Sequence, residues 1–287
     1  MIARQIEGKT EMDARHLALT GVALAAIAAV AAGGMATAQS AGPAMTPAAP
    51  AAAKTFGYLG LSAPDTYRIL PPAPPSGSIR DKADRATFLA TRSLKDTPRW
   101  ALAINDVDIR GYMKDLSCAL GVEPTPETAP KFTALVTKMG PDIAYATNHP
   151  KDIYKRPRPF LEEDGPICVT KESLAGSPDY PSGHVTFSWA VGLVLAELAP
   201  DRATEILIRA RAYGESRLVC GVHSMSAVES GRSNASALVA GLHGSQIFRQ
   251  DLDAARSEIA ALRAKGPAPD AAACAAEAEL TKGSPYN

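Results

Sequence analysis

From about Ala83 onward, apolar residues recur every three or four positions in one segment after another. The two-residue alternation of a half-buried strand is almost absent, and no hairpin signal interrupts the pattern. "DRATFLATRSL", "TPRWALAINDVDIRGYMKDLSCALG" and "TPETAPKFTALVTKMGPDIAYATNH" come first. A run over 183–199 follows, then "APDRATEILIRARAYGESRL", "SAVESGRSNASALVAGLHG" and "QIFRQDLDAARSEIAALRAKG". Thr97-Pro98 and Thr125-Pro126 read as helix starts, with Thr as N-cap and Pro at the first position. In the 183–199 run, Phe187, Val191, Val194, Leu195 and Leu198 fall on one helical face. The expected fold is all-α, a single-domain helical bundle with no internal repeat.

The N-terminal part is of another kind. Arg15 and His16 precede "LALTGVALAAIAAVAAGGMATAQS", a short apolar stretch ending in Ala36-Thr37-Ala38. It reads as a secretory signal peptide over 1–38, which would leave Gln39 as the mature N-terminus. Residues 1–11 add nothing a signal needs, so Met12 is a second candidate start. The run is Ala/Gly-rich and barely reaches spanning length, which disfavours a membrane anchor. Residues 39–54 are a Pro/Ala-rich linker, and 55–287 the expected domain.

Lys and Arg number 30 and Asp and Glu number 30. This balance, with no dense basic stretch, argues against a nucleic-acid partner. The cysteines, Cys118, Cys168, Cys220 and Cys274, are even in number and far apart. No CxxC pair suggests zinc. After export two disulfides are expected, with three possible connectivities. Cys168 and Cys220 each lie near a motif described next, which favours Cys168–Cys220 with Cys118–Cys274. With no second long apolar segment, no stable membrane anchor is expected once the signal is cut.

Three stretches concentrate functional side chains. "KDIYKRPRPF" carries Lys151, Lys155, Arg156 and Arg158; "PSGH" spans 181–184; "SRLVCGVH" carries Ser216, Arg217 and His223. Each opens or closes a predicted helix. Together they would supply fixed cations, a helix N-terminus with free N–H groups, and two imidazoles. That inventory suits a tetrahedral oxyanion: Arg forks grip oxygen pairs, Lys adds a point charge, and Ser182 and Gly183 N–H add donors. The two His would be a nucleophile and a proton donor. Lys155 and Arg156 read as a solvated loop, and His16, His149 and His243 as structural.

The three parts in order are Lys151, six residues, Arg158-Pro159; Pro181-Ser182-Gly183-His184; and Ser216-Arg217, five residues, His223. This resembles the signature of the bacterial class A non-specific acid phosphatases. These belong to the phosphatidic acid phosphatase type 2 and vanadium haloperoxidase superfamily. The resemblance covers roughly Thr55 to Leu262. It implies an all-α bundle of that type, a periplasmic or secreted enzyme, a homodimer, and no cofactor. It also implies small phosphomonoester substrates, with phosphate or vanadate as inhibitors. Lys151, Arg158, Ser182, Gly183 and Arg217 would bind the phosphoryl group. His223 would form a phosphohistidine, and His184 would protonate the leaving alcohol. "PSGH" would thus be an anion-binding helix entry that also carries the general acid.

One position departs. The family's third motif places Asp four residues after the His, where it orients the imidazole; here Ala227 stands there. Ser226, a backbone carbonyl or water is the expected substitute acceptor. Glu229, about 240° around a helix from His223, would point away. The expected enzyme is therefore weakened. Two other readings use the same pocket: a vanadium-dependent haloperoxidase with His223 as ligand, and a phosphate-binding relative with little activity.

Overall fold

The structure is a computed structural model that describes residues 57–286. The expected signal peptide and linker lie outside the described residues. Within them the chain is helical, with no strand.

A single turn, α1 (Thr66–Ile69), precedes α2 (Ile79–Thr91), where Ser78 Oγ accepts from Asp81 N–H at 3.2 Å. Helix α3 (Pro98–Asn105) begins as Thr97-Pro98 predicts, with Thr97 Oγ1 accepting from Trp100 N–H at 3.3 Å. The segment 97–121 is not one helix. After Asn105 the chain turns through Asp106 and Asp108, then resumes in two single turns, α4 (Tyr112–Asp115) and α5 (Ser117–Leu120). Asp108 Oδ1 accepts from Arg110 N–H at 3.1 Å, the local bonding by which short acidic side chains compete with helix.

Helix α6 (Pro130–Tyr154) starts four residues later than Thr125-Pro126 suggests. Thr125 and Thr128 bond each other instead, and Pro130 occupies the first turn. The free N–H groups of Lys131 and Phe132 are taken by Glu258, at 3.1 and 2.9 Å. The helix then runs through Pro141 and Pro150 to Tyr154, past the expected end at His149.

Helix α7 (Gly183–Leu198) is followed by α8 (Ala203–Val219), α9 (Met225–Leu242), α10 (Gln246–Lys265) and α11 (Ala271–Thr281). The sequence reading did not anticipate α11. It is an Ala-rich segment without an apolar period, started by Asp270 Oδ1 accepting from Ala273 N–H at 2.7 Å.

Helix α7 is packed by α6, α8, α9 and α10. None of its residues is exposed: Ala190, Val191, Val194, Leu195 and Leu198 lie in the main core, and Phe187, Trp189 and Leu193 on the other sides are half-buried against it. That explains why its apolar residues spread beyond a stripe. Its entry is held by close contact with α9. A Cβ at Gly231 would lie 2.8 Å from Val185 Cβ and 2.9 Å from the Ser182 carbonyl oxygen.

Both favoured disulfides are present, Cys118–Cys274 and Cys168–Cys220, with Cα separations of 5.2 and 4.9 Å. The first staples α5 to α11. The second fastens the loop before α7 to the residue that follows α8, three positions before His223.

Candidate active site

Lys151 sits in the last turn of α6, and Lys155 closes that helix in the left-handed region at φ 47°. The chain then extends, which brings Arg158 back beneath the same helix end. Arg158 is buried and held by neighbouring acceptors, with one Nη2 hydrogen left over. Its Nε donates to Ser177 O (2.7 Å), Nη1 to Val222 O (2.6 Å), and Nη2 to Ser177 Oγ (3.1 Å). Lys151 is also buried, with Nζ donating to Pro178 O. Burial, reinforced by the Arg158 charge, lowers the Lys151 ammonium to about 8. Its charge should therefore be present at acidic and neutral pH and lost above about pH 8. We predict a fall in kcat/KM along that alkaline limb, and its disappearance in Lys151→Arg, whose guanidinium stays charged.

Ser182 is the N-cap of α7, and its Oγ accepts from Val185 N–H at 3.4 Å. Its hydroxyl proton therefore remains available to an anion. The Ser182 N–H donates to Ala227 O at 3.0 Å, which ties this entry to the first turn of α9. Gly183 has no room for a side chain, since a Cβ would lie 2.9 Å from Thr147 Cγ2. The close approach there is that of Thr147 on α6 to the first turn of α7. His184 stacks flat on Tyr213, ring centroids 4.8 Å apart. Its Nε2 is buried without a partner.

Arg217 occupies the last turn of α8. Its backbone carbonyl accepts from Val222 N–H at 3.1 Å, closing the turn that delivers His223. The buried Nε and Nη1 of Arg217 find no acceptor in the protein. Burial lowers its pKa to about 10, so it stays charged at working pH. Adjacent Ser216 faces the other way, donating to Asp106 Oδ2 at 2.5 Å.

His223 is buried between two polar neighbours. Nδ1 lies 3.0 Å from Asp179 Oδ1, and Nε2 lies 3.2 Å from Arg158 Nη1. A guanidinium only donates, so Nε2 carries the lone pair and Nδ1 the proton. Burial first, then the charges of Arg158, Lys151 and Arg217, push His223 well below the usual histidine range. Burial, Arg217 and His223 do the same to His184. Of the seven residues singled out from the three motifs, Lys151, Arg158, His184, Arg217 and His223 are thus brought within reach of one another's charge, and Ser182 and Gly183 directly precede His184.

Two expectations are corrected. Arg156 is not in a solvated loop; it is buried, paired with Asp81 (3.0 Å) and Asp84 (2.8 Å) of α2 and with Asp179 (3.4 Å). And the partner of His223 is a carboxylate, from Asp179, rather than Ser226 or another neutral group. Ser226 is engaged elsewhere, its Oγ accepting from Arg80 Nε (2.9 Å) and its N–H donating to Asp84 (2.8 Å). Glu229 does face outward, paired with Arg80. Asp179 stands two residues before "PSGH", and an acid that close to the motif was the available signal. Lys155 is exposed, and His149 and His243 lie away from the site, His243 beside Glu197.

Comparison with known proteins gives a consistent result. Residues 132–249 match the PAP2 superfamily. An acid phosphatase of Zymomonas mobilis is 40% identical over 221 residues, 74% of this chain and 82% of that protein. A non-specific acid phosphatase of Providencia stuartii is 37% identical over 204 residues, covering 69% and 82%. One from Salmonella typhimurium is 31% identical over 198 residues, covering 66% and 78%. With relatives this similar along most of their length, and with all three motifs assembled in an all-α fold, the chain belongs to the PAP2 superfamily, among the class A non-specific acid phosphatases.

Proposed function

We propose that this phosphoric monoester hydrolase is an exported acid phosphatase that works through a phosphohistidine on His223 and needs no metal ion. One observation supports this most directly. Arg217 Nε and Nη1 and His184 Nε2 are buried with no partner, beside the bare Nε2 of His223. Buried polar groups are rarely left unpaired unless a ligand completes them. The unpaired guanidinium donors of Arg217 beside a nucleophilic nitrogen are completed by an anion.

In this reading Lys151, Arg158, Arg217, the Ser182 hydroxyl and the Gly183 N–H hold the phosphoryl oxygens. His223 Nε2 attacks phosphorus, and the bond to the alcohol oxygen breaks. His184 delivers its Nε2 proton to that oxygen. The neutral His184 then takes a proton from water, which attacks phosphorus and breaks the N–P bond, releasing phosphate and restoring His223. Three fixed cations do the charge neutralisation that a metal performs elsewhere, and they would repel one. Two disulfides suit an oxidising compartment.

The depressed pKa of His184 bears on the proton donor. A phosphate dianion in the site offsets the Arg217 charge and sits beside the ring, so its pKa rises on binding. The substrate thus brings its own acid into the charged form. Binding of sulfate, a tetrahedral dianion that carries no proton of its own near pH 6, should take up protons, measurable by calorimetry in buffers of different ionisation enthalpy, and His184→Asn should remove most of that uptake. The function is tested by hydrolysis of a chromogenic phosphomonoester by purified mature protein. Turnover should persist in EDTA, with phosphate and vanadate as competitive inhibitors. Loss in EDTA, restored by a divalent ion, would refute the metal-free mechanism.

A further inference from the structure

We propose that Asp179 is the positioning residue for His223: the carboxylate that orients the nucleophilic imidazole enters from the loop before α7 rather than from α9. This rests on the reading of His223 as nucleophile. Asp179 is fully buried, a placement a carboxylate tolerates only when its oxygens are satisfied. They are. Oδ1 accepts from His223 Nδ1 (3.0 Å) and Ser224 N–H (3.0 Å); Oδ2 accepts from Ser224 Oγ (2.5 Å), with Arg156 Nη1 at 3.4 Å. The loop itself is pinned, Asp179 N–H donating to Arg156 O at 2.8 Å. Arg156 is gripped on its far side by Asp81 and Asp84, so α2 is wired through Arg156 to the nucleophile.

Asp179 holds the proton on Nδ1 while Arg158 holds the lone pair on Nε2, so the ring is fixed from both sides in its nucleophilic tautomer. When Nε2 bonds to phosphorus the ring becomes cationic, and the carboxylate stabilises that charge without taking the proton. Position 227 is one hydroxyl away. The Ala227 N–H donates at 3.2 Å to the same Ser224 Oγ that bonds Asp179, and Ala227 is fully buried. A small residue there leaves the acceptor role to Asp179, and a second carboxylate would stand unpaired beside the first.

The test uses Asp179→Asn, Ala227→Asp and His223→Ala in the full mature protein. An Asn can donate its amide to Nδ1 and drive the proton to Nε2. Phosphoenzyme formation from an aryl phosphate should slow by about 10²–10⁴-fold in Asp179→Asn, the range for a mis-set tautomer. The inhibition constant of inorganic phosphate should stay within about threefold, because the oxyanion donors are untouched. The ¹⁵N resonances of His223 should report a bare Nε2 in the parent protein and a protonated one in the variant. Ala227→Asp should bring no gain in rate. Wild-type speed in Asp179→Asn, or a tenfold gain from Ala227→Asp, would overturn the proposal. If Asp179→Asn does not fold, a protonated Nε2 in the parent protein overturns it alone. His223→Ala separates the layers: an active His223→Ala removes the phosphohistidine reading itself, whereas an inactive one with a fast Asp179→Asn removes only the role of Asp179.

Discussion

His223→Ala should abolish covalent phosphoryl transfer, lowering turnover by about 10⁴-fold or more, as removal of a nucleophile does in other covalent mechanisms. Phosphate binding should survive, because Lys151, Arg158 and Arg217 do not depend on the imidazole for their backbone placement. His184→Ala should behave differently. With an alkyl phosphate, whose leaving oxygen needs a proton, the loss should be about 10²–10⁴-fold. With an aryl phosphate carrying a very good leaving group, most of that loss should vanish, and a burst of released phenol should still precede slow turnover. Burst kinetics on both substrates separate the two histidines. A leaving-group-independent loss in His184→Ala would mean that this ring does not act as the acid.

Arg217 should show the second large effect, and in two opposite directions. Its Nε and Nη1 are buried without acceptors in the protein. An unpaired buried cation destabilises the fold, and a bound oxyanion is what compensates it. Arg217→Met should cost ~2–4 kcal/mol in kcat/KM, the range for one preorganised donor at developing charge. The same change should stabilise the ligand-free protein by ~1–3 kcal/mol, by removing an uncompensated charge from an apolar surround. Thermal melts with and without phosphate would read both. The parent protein should gain much more from phosphate than the variant does. A variant that loses stability and keeps its kcat/KM would place Arg217 in the scaffold instead.

The all-α class and the Thr97 cap were legible because each depends on local sequence. A cap needs a hydroxyl three residues before a free N–H, and a motif needs spacing. The proposed oxyanion site is made of such units, because Lys151, Ser182 and Arg217 all lie at helix ends. What escaped was relational. Asp179, Arg156, Asp81 and Asp84 form one buried charge network drawn from α2, the α6 exit and the α7 entry, so no spacing rule connects them. Read alone, Arg156 beside Pro157 looks like loop. Only burial with three acids changes that. Ala227 read as a loss for the same reason: the segment that supplies the missing carboxylate is 48 residues upstream and joins α9 only in the folded chain.

Element boundaries failed where a neighbour replaced a local signal. The start of α6 is capped by Glu258 from α10, so the Thr125 cue marked a turn instead of the helix. Helix α11 has no apolar stripe to reveal it. It is held by Cys118–Cys274 and by Glu277, which accepts from Arg209 at 2.9 Å.

The most direct test is to trap the intermediate. A phosphorus-labelled monoester is mixed with enzyme for a single turnover, quenched in alkali, where phosphohistidine survives, and the labelled peptide is sequenced by mass spectrometry. The account predicts one acid-labile, base-stable phosphoryl group on the His223 imidazole. Label on His184, or full turnover with no labelled protein at any time, would contradict it.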